Sequence, residues 1–154
     1  MKRILLPLLA LCLCLTACGG TADEAGYDPA AAAQALLDSG AFTQALDALD
    51  KETACTALSG GLDAETVEDC AVYASLSAGA EEIAVLKLGS AGAAETALTA
   101  LENRVAEQRE ALESYQPQEV GKLDSAIVEQ KGNTVLLVVA ADAALARSTL
   151  DELN

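Results

Sequence analysis

The sequence predicts an α+β fold in which a four-stranded antiparallel sheet is packed by helices. Two pairs of extended segments, within residues 70–88 and 126–140, are each joined by a turn of small or polar residues. A long helical stripe over residues 91–115 separates the pairs, and a last helical pattern follows them. The predicted order is therefore β-β-α-β-β-α, preceded by short N-terminal helices, and it suits one sheet covered by helices.

Residues 1–17 have the three-part plan of a secretory signal peptide. Lys2 and Arg3 precede an apolar run of 12 residues that ends at Leu15, and small or polar residues follow. A membrane-spanning helix needs about 20 residues, so we predict that this segment is removed.

Cys18 follows the signal directly. Leu15, Thr16 and Ala17 before it resemble the lipobox of bacterial lipoproteins, which implies a lipid thioether on the Cys18 thiol and cleavage between Ala17 and Cys18. Two acyl chains, such as palmitate, anchor a protein where one is marginal. An ordinary signal peptide followed by an unmodified thiol is the alternative. We expect a lipid-anchored protein on the outer face of the bacterial cytoplasmic membrane.

The chain after the signal is strongly acidic. Residues 18–154 carry all 24 acidic side chains and seven of the nine basic ones, the other two being Lys2 and Arg3. This charge disfavours nucleic acid as a partner, because phosphates are bound by Lys and Arg. It also disfavours adsorption of the protein surface on anionic lipid.

The chain after the signal divides into a tether and a domain. Residues 18–27 are small, polar and acidic, which predicts a lipidated flexible tether, and residues 28–154 form one α+β domain. Asp28 suits an N-cap, Pro29 suits the first helical position, and Gly40 is placed to end this first helix.

Two more short helices are predicted next. Phe42, Leu46 and Leu49 recur at spacings of four and three, which predicts a second helix with these side chains in the core. Asp50 can cap a third helix, which contains Cys55.

The first predicted hairpin follows an acidic loop. Residues 70–77 alternate, with Val72, Ala74 and Leu76 on one face, and residues 81–88 form the partner strand.

The long helix over residues 91–115 has a continuous stripe of side chains at steps of three and four, and Pro117 closes it. The stripe predicts the face that packs on the sheet. Its residues are Ala94, Leu98, Leu101, Val105, Gln108, Leu112 and Tyr115.

The second hairpin has the clearest local signal. Residues 126–130 and 134–140 flank Gly132-Asn133, which suits a two-residue type II′ turn with glycine at the position of positive φ. The run over residues 135–140 is apolar on both faces, so it should be an inner strand. A last helix, capped by Asp142, has three side chains available for the core: Leu145, Leu150 and Leu153.

Several classes of chemistry are excluded. The chain has no histidine, which excludes Ser-His-Asp and Cys-His catalysis. Its scattered glycines form no P-loop or dinucleotide fingerprint. We expect no metal and no cofactor. One acidic loop is an alternative Ca²⁺ site that matches no EF-hand spacing; its residues are Asp63, Glu65, Glu68 and Asp69.

Cys55 and Cys70 are the thiols that remain after lipidation of Cys18. Outside the cytoplasm they could form a disulfide, and closing a loop of this length stabilises a protein by roughly 3 kcal/mol. Two buried free thiols are the favoured interpretation, and the disulfide is the alternative. Their spacing does not match a Cys-x-x-Cys redox motif.

Glu81 and Glu82 open the second strand and are the candidate functional residues. Paired carboxylates can perform acid–base chemistry when one of them is desolvated. Adjacent strand residues, however, point to opposite faces. The favoured interpretation is therefore that both are solvated charges at a strand end.

Four segments resemble the bacterial lipoprotein family known as domain of unknown function 4358. They lie at residues 40–50, 80–88, 111–128 and 131–142. The resemblance implies a membrane-tethered extracytoplasmic domain of an organism with a single membrane. It also places the two adjacent glutamates on the family's acidic pair, and it implies no catalytic residue.

Two function classes follow. The first is a non-enzymatic binding or interaction domain, anchored to the membrane, whose partner is an envelope protein or a cell-wall component. The second is a carboxylate-dependent hydrolase or carbohydrate-active enzyme that uses Glu81 or Glu82. A pocket with two carboxylates about 5 to 9.5 Å apart would favour the enzyme, and a shallow apolar patch would favour the binding domain.

Overall fold

A computed structural model describes residues 26–58, 62–77 and 79–153. The predictions of a signal peptide, and of cleavage and lipid attachment at Ala17 and Cys18, lie outside these residues. The elements in chain order are α1 (Pro29–Asp38), β1 (Asp47–Leu49), α2 (Lys51–Ala57), β2 (Val67–Ala74), β3 (Glu82–Leu88), α3 (Ala91–Tyr115), α4 (Pro117–Asp124), β4 (Ile127–Lys131), β5 (Thr134–Val139) and α5 (Ala143–Glu152).

The strands form one antiparallel sheet in the order β1-β2-β3-β5-β4. The α+β class is confirmed, whereas the predictions of four strands and of the order β-β-α-β-β-α are wrong, because β1 and α4 are additional elements. The additional strand is β1, which pairs with residues 72–74 of β2. It lies where a second short helix was predicted. Phe42 and Leu46 pack on one face of the sheet and Leu49 packs on the other, so their helical spacing does not mark one helix face.

Helices cover both faces of the sheet. Alternate residues of the central strands β3 and β5 therefore enter two separate apolar clusters. The cluster under α2, α3 and α4 contains Ala84, Leu86, Leu88, Val135, Leu137 and Val139. The cluster under α1 and α5 contains Ile83, Val85, Leu136 and Val138. Burial on both faces confirms that β5 is an inner strand.

The predicted local signals for helix starts and for the second turn are confirmed. Asp28, Asp50 and Asp142 each accept a hydrogen bond from the backbone N–H three residues later, at 2.8, 2.9 and 2.9 Å. These bonds satisfy N–H groups that the first helical turn leaves unpaired. Gly132 has a φ of 58° in the two-residue turn between β4 and β5.

The two ends of the sheet differ in what adjoins them. At the end where β3 finishes and β5 begins, here called the proximal end, the Thr134 hydroxyl donates to the Tyr27 carbonyl oxygen at 3.3 Å. Tyr27 falls in the predicted tether, yet it is buried. At the opposite, distal end, β3 begins at Glu82, opposite Val139. The chain therefore enters the described domain at the proximal end.

Helix α3 is longer than the sheet that it covers. It begins at the proximal end, where the Gln130 side-chain amide donates to the Ala91 carbonyl oxygen at 3.4 Å. Its 25 residues extend about 37 Å, whereas the seven-residue β3 extends about 23 Å. Its last turns consequently project beyond the distal end. Pro117 follows α3 as predicted, but it also begins α4, which packs back on the projection through the Arg109–Asp124 ion pair.

Four side chains predicted for buried faces are exposed instead. Leu76 lies beyond the end of β2 and is 72% exposed, and Tyr115 ends the projecting part of α3 and is 83% exposed. Leu145 and Leu153, near the two ends of α5, are also exposed. For Leu76 and Tyr115, the periodic pattern runs past the surface that the element covers. No helix in the described residues has both the length and the apolar character needed to cross a membrane.

Candidate functional site

Glu81 and Glu82 lie at the distal end of the sheet and are both buried, with 1% of each residue exposed. The interpretation of this pair as solvated charges at a strand end is therefore wrong. The physical reason is that residues 43–44, α3 and α4 converge on the start of β3 and exclude solvent there.

The Glu81 carboxylate accepts four hydrogen bonds. The backbone N–H groups of Thr43 and Gln44 donate at 2.8 and 3.0 Å, and the Thr43 hydroxyl donates at 2.6 Å. The fourth donor is the Lys122 ammonium group of α4, at 2.9 Å. Glu81 therefore joins three segments that are far apart in the sequence.

Glu119, one turn before Lys122 on α4, completes the network. Its carboxylate accepts from Lys122 at 2.9 Å, from the Ala80 N–H at 3.1 Å and from the Gln44 side-chain amide at 3.0 Å. We call Gln44, Glu81, Glu119 and Lys122 the glutamate clasp. Gly79 is part of its packing, because a Cβ at this position would lie 2.1 Å from the Gln44 side-chain oxygen.

The clasp stabilises the charged forms of its members. Burial by itself would raise the pKa of Glu81, but the hydrogen bonds from Thr43, Gln44 and Lys122 outweigh it and hold that pKa below its ordinary value. The pKa of Glu119 is lowered in the same way against burial, mainly by Lys122. Burial would lower the pKa of Lys122, but its bonds to the two carboxylates raise it. The clasp is thus a satisfied ionic network.

Glu82 has a different environment. Its side chain is 2% exposed, and its Oε2 atom lies 3.4 Å from the Nε atom of Arg104 on α3. Neither Glu82 oxygen accepts a hydrogen bond from a described protein group, and Arg104 Nε and Gln108 Oε1 are likewise buried without one. Burial raises the pKa of Glu82, and the Arg104 charge offsets only part of that rise.

The structure gives Cys55 and Cys70 as free thiols, the first buried and the second partly buried. Burial raises the pKa of both thiols, and the charge of the Cys55 thiolate raises that of Cys70 further. Both thiols are therefore protonated and weakly nucleophilic at neutral pH.

Of the four residues of the predicted acidic loop, Asp63 and Glu65 precede β2, whereas Glu68 and Asp69 lie in that strand. The Asp63 carboxylate accepts from the Glu65 N–H at 2.9 Å, as in a tight turn. Among the described residues, no three His, Cys, Asp or Glu side chains are grouped so that they could hold a metal ion.

Two open clefts lie away from the adjacent glutamates. One of about 510 Å³ lies between residues 62–66 and the first half of α3. The other, of about 440 Å³, lies at the proximal end beside Tyr27 and Lys87. Neither is lined by Glu81 or Glu82, so the described clefts do not present these carboxylates to a substrate.

Sequence reasoning found the two adjacent glutamates but missed their partners. Gln44, Arg104, Glu119 and Lys122 come from three separate segments. The only local signal among them is the spacing of three between Glu119 and Lys122 on one helix face. The remaining contacts depend on how α3, α4 and residues 43–44 meet the start of β3.

Comparison with known proteins gives one match. A family profile described as a domain of unknown function (DUF4358) matches residues 59–140, more than half of the chain. The chain belongs to this family. The DUF4358 segment contains β2 to β5, α3 and α4, and with them Glu81, Glu82, Arg104 and the α4 part of the clasp. No curated protein and no solved structure matches the chain.

Proposed function

We propose that this DUF4358 protein is a lipoprotein anchored through Cys18 to the outer face of the bacterial cytoplasmic membrane, and that its domain binds an envelope protein through the distal end. The observation that carries the binding role is the exposure of Leu76 and Tyr115, at 72% and 83%, beyond the distal end of the sheet. Tyr is enriched at protein interfaces because its ring is apolar and its hydroxyl is polar.

The position of the N-terminal segment supports an orientation in which the distal end faces away from the membrane. The chain enters the domain at the proximal end, where Tyr27 contacts Thr134. Gly26 lies eight positions after Cys18, and a chain of that length spans at most about 28 Å. A lipid on Cys18 would hold the proximal end within that distance of the membrane and leave the distal end facing outward.

The alternative, a carboxylate-dependent hydrolase or carbohydrate-active enzyme, has less support. Such an enzyme must bring a carboxyl group into contact with its substrate. Glu81 is committed to four hydrogen bonds, and Glu82 is 1% exposed. The buried positions of both residues instead favour structural roles beneath a binding surface.

Site-specific photo-crosslinking in intact cells tests the binding role. The full chain would carry a photoreactive amino acid at position 76 or 115, with position 153 as the matched control because Leu153 is an exposed apolar residue of α5. We expect one protein adduct of discrete mass at positions 76 and 115 and none at position 153.

Two results would contradict the proposal. Equal adducts at all three positions would mean that the distal end has no preferred partner. A ladder of adducts that collapses on digestion of the cell wall would identify a wall polymer instead of a protein.

A Tyr115→Asp substitution should also weaken the adduct formed from position 76, because it places a charge in the proposed binding surface.

A further inference from the structure

Among the buried charged residues that the structure describes, Glu82 has the fewest hydrogen-bond partners. Its neighbour Glu81 accepts four hydrogen bonds, whereas neither oxygen of Glu82 accepts one from a described protein group. A buried carboxylate without hydrogen bonds is costly in its ionised form. The same residue in its neutral form lacks most of that cost.

Among the residues that the structure describes, one positive charge compensates that of Glu82. Arg104 faces it from α3 at 3.4 Å. On the neighbouring strands its partners are Ala74 and Val139, which carry no charge. The charge of the adjacent Glu81 is compensated by Lys122 of α4. The ionised form of Glu82 thus depends on a single ion pair with Arg104.

We infer that Glu82 is a proton-binding site that controls how Arg104 holds α3 at the distal end of the sheet. In the ionised state, the carboxylate pairs with the guanidinium group and fixes the middle of α3 against the start of β3. When Glu82 binds a proton, the attraction is lost. Arg104 is 23% exposed, so its charge can then turn toward solvent.

The position of Arg104 on α3 connects protonation of Glu82 to the proposed binding surface. Arg104 lies where α3 leaves the sheet, and the projecting turns that follow end at Tyr115. Burial raises the pKa of Glu82, so Glu82 exchanges its proton at a higher pH than an ordinary glutamate does. The inference concerns the domain itself and does not depend on the proposed partner.

NMR of the full chain in detergent micelles tests it. The side-chain carboxyl carbon of Glu82 would be followed from pH 3 to pH 8 and assigned by its loss in Glu82→Gln. We expect the Glu82 midpoint to lie above 4.5, the ordinary value for a glutamate, and the Arg104 Nε–H signal to shift with the same midpoint. Glu110→Gln, at an exposed residue of α3, is the matched control and should leave the Arg104 shift in place. In Glu82→Gln the Arg104 shift should disappear.

Arg104→Met provides a second, independent test that still applies if Glu82→Gln does not fold. Arg104→Met removes the compensating charge, so it should move the Glu82 midpoint to still higher pH. A Glu82 midpoint at or below the ordinary value of 4.5 would overturn the inference. So would an Arg104 signal that does not follow the Glu82 titration, or a Glu82 midpoint unchanged in Arg104→Met.

Discussion

At the scale of residues, two adjacent glutamates have pKa values shifted in opposite directions. Both are buried to the same extent, so burial alone does not explain the difference. Glu81 accepts hydrogen bonds that stabilise its ionised form, while Glu82, among the described residues, has an ion pair with Arg104 at 3.4 Å and accepts no hydrogen bond. The number of donors within hydrogen-bond distance therefore determines the sign of each shift.

The clasp should stabilise the fold at neutral pH. Lys122→Met would leave Glu81 and Glu119 without their shared cation, so we expect a loss of about 3 kcal/mol in the free energy of unfolding. Exposed Lys87→Met is the control. Because the pKa values of both glutamates are lowered, their contribution is present above about pH 4.5 and is lost as the pH falls through the folded-state values.

Urea denaturation at pH 7 and pH 4 measures this effect. The difference between Lys122→Met and the unsubstituted protein should be large at pH 7 and smaller at pH 4. Equal effects of the Lys122 and Lys87 substitutions would show that the clasp contributes little to stability.

Glu82 should have the opposite effect on stability. Its pKa is raised in the folded state, so its contribution is full below the ordinary value of 4.5 and falls as the pH rises through the folded-state value. Glu82→Gln keeps the shape and removes the charge. We expect its melting temperature to exceed that of the unsubstituted protein at pH 8 and the difference to shrink toward pH 4. A variant less stable at pH 8 would mean that the Arg104 ion pair outweighs desolvation.

At the scale of elements, periodic patterns located the long helix correctly but did not locate its end on the sheet. Residues of the stripe near the start and middle of α3 are buried or partly buried, including Ala94, Leu101 and Val105. Tyr115 continues the same spacing yet is exposed, because the helix extends beyond the strands that it covers. Spacing identifies a helix face, whereas the size of the neighbouring layer determines how much of that face is covered.

Leu101 should be a major contributor to the packing of α3. It is fully buried in the cluster beneath this helix, so Leu101→Ala should cost about 2 to 5 kcal/mol through lost apolar burial and the cavity left behind. Leu145→Ala, at a residue 39% exposed on α5, is the matched control and should cost less. Chemical denaturation of both variants provides the comparison, and equal losses would contradict this packing.

At the scale of the whole molecule, the two ends of the sheet have different surroundings. The proximal end receives the N-terminal segment, and the distal end combines the buried glutamates with exposed Leu76 and Tyr115. Residues 18–154 are strongly acidic, with 24 acidic and seven basic side chains. Under the proposed anchoring, the membrane contact depends on the lipid, while the domain surface remains available for a partner.

Cys18→Ser should abolish anchoring. The variant lacks the thiol that would form the lipid thioether, so we expect it to leave the membrane fraction and to lose incorporation of an alkyne-labelled fatty acid. Cys14→Ser is the matched control, because Cys14 lies inside the segment predicted to be removed. Fatty-acid labelling that persists in Cys18→Ser would place the modification elsewhere.

The sequence alone determined the features that depend on neighbours in the chain. Helix caps at Asp28, Asp50 and Asp142 and the turn at Gly132 were predictable because each requires a particular residue at a particular local position. The two hairpins and the long helix were predictable because their patterns recur over many residues. Membership of the DUF4358 family was likewise visible in short segments of sequence.

Only the tertiary structure decided the rest. Residues 47–49 became a strand instead of part of a helix, because β2 offered a free edge and the neighbouring apolar side chains pack on opposite faces. Glu81 and Glu82 became buried groups with different partners because α3, α4 and residues 43–44 converge on them. Such contacts bring together residues that are distant in the chain, and the free energy of burying a charge depends on those contacts. A local sequence pattern therefore does not predict these contacts.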